Sequence, residues 1–266
     1  MKFDANPFLA YTDRVSNLSA PKKRFTHLLC DLDGTLIDSG GLMVQFEFIW
    51  RTLPLMKRHQ GWKAAYEALK EGQEILKTPS STQTNEERVI ESFQKHLKLS
   101  KEEAKAELKM SLAQVFPKLK SHFGEIKDAA QFLKWAKDQY SLTLATNPVW
   151  SLDLVQMRMR WGGIDPAFFD RVTTADRMHA CKPCPEYYRE VLAQESYEAS
   201  DCLLIGNERK MDLPATQVGI AVFLIRPEAA SITCIEEPSP THPGAWRGSY
   251  PQLKLWLIEN QTRNQP

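Results

Sequence analysis

The chain has 266 residues with 34 Lys+Arg against 33 Asp+Glu, a formal charge of +1, so it lacks the clustered positive charge by which nucleic-acid binders grip phosphate backbones. Hydrophobic residues at 42% and charged residues at 25% suit a chain that buries a core, which excludes global disorder. No run approaches the roughly 18 consecutive apolar residues of a membrane span, and residues 1–15 carry Asp4, Asp13 and Arg14 without the continuous apolar stretch of a secretory signal.

Residues 1–24 read as an N-terminal extension ending in Lys22, Lys23 and Arg24, a solvated flank. The apolar run at 25–30 predicts the first strand. From about Met43 to about Ser121 the pattern is helical, with Trp62, Ala65, Tyr66, Leu69, Ile75 and Leu76 on one helix and further helices at 86–97 and 101–115. Phe46, Phe48 and Trp50 are expected to pack inside this segment. Arg51, Lys57, Arg58 and His59 could meet an anionic substrate or form a solvated helix face. Residues 78–85, TPSSTQTN, predict a loop, since Pro, Ser, Thr and Asn favour turns. Ile126, Ala129, Ala130, Leu133 and Ala136 carry the spacing of an amphipathic helix, and strands are predicted at 142–145, 202–205 and 221–225. Residues 236–250, rich in Pro, Ser and Gly, predict an irregular arm before a short final helix. Alternating strands and helices argue for a doubly wound, mainly parallel α/β sheet, which binds ligands beyond the carboxyl ends of its strands.

The segment Asp31-Leu32-Asp33-Gly34-Thr35 stands directly after the first strand. Alternate side chains of an extended segment share a side, so Asp31 and Asp33 can face one site, and Gly34 lets the backbone turn away. Paired carboxylates suit a divalent cation, or a nucleophile with an acid/base partner. Three further segments follow in order: Leu142 to Asn147, a strand ending in Thr146-Asn147; Cys181-Lys182-Pro183-Cys184-Pro185; and Leu203-Leu204-Ile205-Gly206-Asn207 with Asp212 beyond it.

Together these four segments resemble the motifs of the haloacid dehalogenase-like (HAD) hydrolase superfamily. They are similar to its DxDGT, its Thr-ended or Ser-ended strand, its KPxP lysine segment and its GDxxxxD. The resemblance implies a Rossmann-like core at 25–41 and 122–266 with a helical cap inserted at 42–121, as in phosphoglycolate-phosphatase-like and β-phosphoglucomutase-like relatives. It implies Asp31 as nucleophile, Asp33 as general acid and base, and Gly34, Thr146, Asn147 and Lys182 around the phosphoryl oxygens. Asp31, Asp33, Asn207 and Asp212 would hold Mg²⁺. The implied activity is phosphatase action on a small phosphorylated metabolite, with no nucleic-acid or membrane partner. Alternatives are a phosphomutase, or a catalytically weak ligand- or protein-binding domain.

One position departs from the pattern: Asn207 stands where a metal-touching aspartate is usual, removing one negative charge. Dehalogenases of the superfamily lack the second aspartate of the first motif, so Asp33 favours phosphoryl chemistry. Cys181 and Cys184 lie inside the lysine segment without a second ligand pair, and Cys30 is expected to point into the core. Five cysteines, an odd number, suit free thiols in a reducing compartment, by default the cytoplasm. The six histidines are scattered without HExxH-like spacing, with His122 and His179 as candidates near the motifs.

Overall fold

A computed structural model describes residues 25–262; the Lys22, Lys23 and Arg24 triplet and the rest of the extension lie outside the described residues. In chain order the strands are β1 (His27–Cys30), β2 (Ile37–Asp38), β3 (Gly124–Glu125), β4 (Ser141–Leu144), β5 (Arg171–Val172), β6 (Cys202–Gly206), β7 (Ala221–Ile225), β8 (Thr233–Glu236) and β9 (Ala245–Gly248). The helices are α1 (Leu42–Glu74), α2 (Asn85–Leu97), α3 (Lys101–Val115), α4 (Ala129–Lys137), α5 (Leu152–Trp161), α6 (Pro185–Glu195), α7 (Arg209–Asp212) and α8 (Tyr250–Thr262).

Seven strands form one sheet in the order β5-β4-β1-β6-β7-β9-β8, parallel except for the β8–β9 pair. Leu28, Leu29 and Cys30 are all buried, as a strand covered on both faces requires. Alternation sends Leu28 and Cys30 to the face packed by Phe132 and Leu133 of α4 and Leu253 of α8. Leu29 goes to the other face, with Tyr187, Tyr188 and Val191 of α6. Because β1 lies between β4 and β6, connections leave it in opposite directions, which makes its carboxyl end the switch point at which such sheets bind ligands. The fold is thus a Rossmann-like α/β core. Among the described residues no helix is long and apolar enough to cross a membrane.

The chain leaves and re-enters this core through a ribbon, β2 paired antiparallel with β3 (Ile37 opposite Glu125, Asp38 opposite Gly124). Between the two crossings lie α1 to α3, with a small core of Met56, Ala65, Ala68, Ile90, Phe93, Leu97 and Ala104. Reciprocal capping by Thr84 with Glu87 and by Ser100 with Glu103 fixes where α2 and α3 begin. The helical pattern around Trp62 continues back to Leu42, interrupted by non-helical angles at Gln60 and Gly61.

Two expectations are corrected here. Phe46 and Trp50 are 78% and 77% exposed, and only Phe48 packs, edge-on to Trp150 at 5.3 Å. Residues four apart share a helix face, so Phe46 and Trp50 lie together while Phe48 points elsewhere. The arm at 236–250 is not wholly irregular: β9 runs parallel to β7 and antiparallel to β8. Four residues between Pro and Gly give too short an alternation to show a strand whose partners are distant in sequence.

Candidate active site

Asp31 continues from β1, its N–H donating to the Ile205 carbonyl at 2.8 Å, so the first aspartate stands beside the end of β6. Gly34 then turns the chain with φ of 73°, and a Cβ there would lie 2.2 Å from Asn207 Nδ2. Only glycine permits both the left-handed turn and this approach. The turn brings Thr35 back, and its hydroxyl stands 3.1 Å from both Asp31 Oδ2 and Asn207 Oδ1. One hydroxyl hydrogen serves one of these acceptors at a time.

Lys182 is buried between two carboxylates, with Nζ donating to Asp31 Oδ1 and to Asp212 Oδ1 at 2.9 Å each. Asp212, also buried, accepts through Oδ2 from the backbone N–H groups of Asn207 at 3.0 Å and Glu208 at 2.9 Å. Its two oxygens therefore orient Lys182 and shape the loop after β6. At the end of β4, Asn147 Oδ1 accepts the Lys182 backbone N–H at 3.1 Å, joining the second and third motifs. The Thr146 carbonyl accepts from Tyr187 Oη at 2.9 Å and Thr173 Oγ1 at 2.7 Å. The buried Thr146 Oγ1 has no partner among the described residues.

Asp31, Gly34, Thr35, Lys182, Asn207 and Asp212 thus form one cluster, with Asn147 joined to it through the Lys182 backbone and Thr146 next to Asn147 in the chain. Asp33 is drawn aside: its Oδ1 pairs with Arg158 on α5, and its side chain is 39% exposed. Burial pushes the Asp31 carboxyl up to about 6; Lys182 opposes this, and Asp212 and Asp33 reinforce it. Burial alone would lower Lys182, but Asp212 and Asp31 outweigh it and hold the ammonium well above its ordinary value. The shifts do not mirror each other because Lys182 meets two carboxylates, whereas Asp31 meets one ammonium and two like charges.

The description of a haloacid dehalogenase-like hydrolase matches residues 25–218 of this sequence, well over half of it. The chain belongs to the HAD-like hydrolase family. No curated protein matches it by sequence. Solved structures with the same fold include a 2-haloacid dehalogenase from Pseudomonas syringae pv. Tomato DC3000 (16% identity, TM-score 0.55, 88% of this chain and 99% of that one). A HAD phosphatase from Thermococcus onnurineus matches at 17% identity and TM-score 0.52, covering 88% of this chain and 98% of its own. A HAD-superfamily hydrolase from Geobacter sulfurreducens PCA matches at 19% identity and TM-score 0.51, covering 90% and 100%.

Among the described residues no three His, Cys, Asp or Glu side chains gather as a metal cage. The donors that converge on the Thr35 hydroxyl are one carboxylate and one amide oxygen. This hard oxygen set fits Mg²⁺, which binds through one or two carboxylates and retains water.

Several residues of this HAD-like site were not marked by the motifs. Asn85, the first residue of α2, is fully buried, and its Nδ2 lies 3.1 Å from the Pro148 carbonyl, 3.3 Å from the Ala180 carbonyl and 3.4 Å from Cys181 Sγ. It clasps the loops that carry Asn147 and Lys182. The only sequence signal was Thr84-Asn85 opening a helix, which says nothing about what the amide meets. Asn85→Ala is expected to destabilise the protein by about 1–3 kcal/mol and to lower turnover; urea unfolding and phosphate release check both. Thr35 lies inside the first motif but carries no assigned role in its pattern, and Tyr187 lies in no polar pattern.

Most of the remaining basic candidates pair with acidic side chains of the protein itself. Arg58 at 2.5 Å and His59 at 2.9 Å both meet the buried Glu107, and Arg51 pairs with Glu47. His122 bonds Glu47, and His179 Nδ1 bonds Glu190 at 2.7 Å. All five cysteines are free, Cys30 buried as expected. Burial pushes the Cys181 thiol up to about 12, so its thiolate is scarce. Iodoacetamide near neutral pH is therefore expected to label the partly exposed Cys184 and Cys234 and to spare Cys30, Cys181 and Cys202, as read by peptide mass mapping.

Proposed function

We propose that this HAD-like hydrolase is a Mg²⁺-dependent phosphatase that acts on a small phosphorylated metabolite through a phosphorylated Asp31. The observation that carries the reading is the buried Asp31–Lys182–Asp212 bridge, with the unpartnered Thr146 hydroxyl after β4 as a second support. A structural core has little use for two buried carboxylates on one ammonium, whereas phosphoryl transfer needs a fixed nucleophile and nearby positive charge.

In this reading an oxygen of Asp31 attacks phosphorus, and the bond to the leaving oxygen breaks as Asp33 delivers its proton. Water then attacks the phosphoryl group on Asp31 while Asp33 takes the water's proton, which restores both carboxyl groups. Lys182, Thr146 and Asn147 orient and neutralise the phosphoryl oxygens. Bound beside Asp31 and Asn207, with the Asp33 carbonyl, Mg²⁺ would supply further charge neutralisation. The helical insertion would act as a cap that excludes water from the reacting centre. Asp33 favours this chemistry over carbon–halogen cleavage. Five free cysteines accord with a reducing, cytoplasmic setting.

The test is a panel of phosphorylated metabolites and an aryl phosphate, with and without Mg²⁺. Release that requires Mg²⁺ supports the reading, and equal release with a chelator overturns it. Because Asn207 is neutral, Asn207→Asp is expected to lower the Mg²⁺ concentration for half-activation by roughly tenfold. An unchanged or higher requirement would remove Asn207 from the cation's surroundings.

A further inference from the structure

Arg158 lies on α5, which runs from the loop after Thr146 to the ribbon β2–β3. Its side chain is only 4% exposed, and Nη2 forms the ion pair with Asp33 Oδ1. Nη1 is buried with no partner among the described residues. The guanidinium carbon stands 5.8 Å from the centre of the Phe123 ring, one residue before β3. The end of the same helix is fastened to the ribbon: a Cβ at Gly162 would lie 2.1 Å from Ile37 Cγ2 and 3.1 Å from the Gly124 carbonyl.

A buried guanidinium is costly unless a counter-charge answers it, and here the answer comes from the second aspartate of the site. The pair is lopsided, with the arginine walled in and the aspartate partly in solvent. Asp33 is therefore the member that takes its orientation from the other. The contact is a single one, from Nη2 to Oδ1, but it comes from a guanidinium immobilised by burial against Phe123, so it fixes where Oδ1 sits. With Oδ1 held, Oδ2 is the oxygen left to exchange a proton.

We infer that Arg158 is a positioning residue for Asp33: it holds the acid/base carboxylate in one orientation and ties it to the ribbon that leads into the helical insertion. This rests on the reading of Asp33 as the proton carrier of a phosphatase. Its consequence concerns substrates whose leaving oxygen needs a proton. Alkyl phosphates depend on a well-placed acid, whereas a nitrophenyl phosphate expels its leaving group with little help.

The test compares kcat/KM, which reports events through leaving-group departure, for an alkyl phosphate from the panel and nitrophenyl phosphate. Arg158→Gln is expected to lower the alkyl value by roughly tenfold to a hundredfold and the nitrophenyl value much less. In the cycle with Asp33→Asn, the double variant is expected to be no slower than Asp33→Asn alone, since Arg158 acts only through Asp33. Additive losses, or equal losses on both substrates, would overturn the inference. Should Arg158→Gln fail to fold, Arg158→Lys keeps the charge on a flexible ammonium that lacks the rigid, immobilised guanidinium plane. It is expected to fold and to show the same substrate split, and wild-type values for it would overturn the proposal. Turnover that depends on Asp31 but not on Arg158 removes this inference alone; turnover indifferent to Asp31 removes the phosphatase reading and this inference with it.

Discussion

Asparagine at position 31 is expected to abolish phosphate release, by roughly 10⁴-fold or more, as when other enzymes lose a nucleophile, while the protein stays folded. The amide matches the carboxylate in shape but cannot attack phosphorus. Stability should not suffer, because the Asp31 carboxyl is itself a burden: burial raises it from its ordinary 3.8 to about 6. Between those values the folded state holds a proton that the unfolded state releases, so wild-type stability declines as pH rises through about 4 to 6. Asp31→Asn removes that slope, and Lys182 keeps its bond to Asp212. Phosphate release at saturating substrate, beside thermal unfolding at several pH values, checks both halves. An inactive variant that has unfolded would say nothing of chemistry, whereas a folded variant with wild-type turnover would remove Asp31 as nucleophile.

The second large effect is expected at Lys182. Methionine there keeps much of the apolar stem but leaves Asp31 and Asp212 buried without the ammonium 2.9 Å from each. Removing one partner of a buried ionic group costs about 3–5 kcal/mol, and turnover is lost because the ammonium no longer faces the phosphoryl oxygens. The sign of the pH effect is diagnostic. Without the ammonium the main opposition to the upward push on the Asp31 carboxyl is gone, so the folded state gains by keeping that group protonated. Lys182→Met is therefore expected to recover stability on acidification, from about pH 8 to about pH 5, more steeply than wild type. Urea midpoints at the two pH values measure this; a midpoint that fell on acidification would contradict the buried bridge.

What was legible in the sequence follows from the range of each interaction. Strands β1, β6 and β7 could be read because central parallel strands are nearly unbroken apolar runs, β4 because Leu142 and Leu144 frame a short apolar stretch, and α2 and α3 because helical periodicity is local. β9 could not, since its identity as a strand is decided by β7 and β8. Within the site, Asp31, Thr146, Lys182 and Asn207 stood out because each follows a strand or opens a helix. The structure adds how they divide the work: Asp212 spends both oxygens on Lys182 and the backbone N–H groups of Asn207 and Glu208, and Asp33 faces Arg158. Asn85 and Arg158 were hidden because their importance lies in contacts 63 and 125 residues away.

The claim beneath all of this is that Asp31 becomes covalently phosphorylated. The most direct measurement is an acid quench during turnover of an active phosphate ester, followed by peptide mapping. Phosphate on the peptide that contains Asp31, present in wild type and absent from Asp31→Asn, is the expected result. Steady phosphate release with no phosphorylated Asp31 peptide, or with phosphate on another residue, would contradict it.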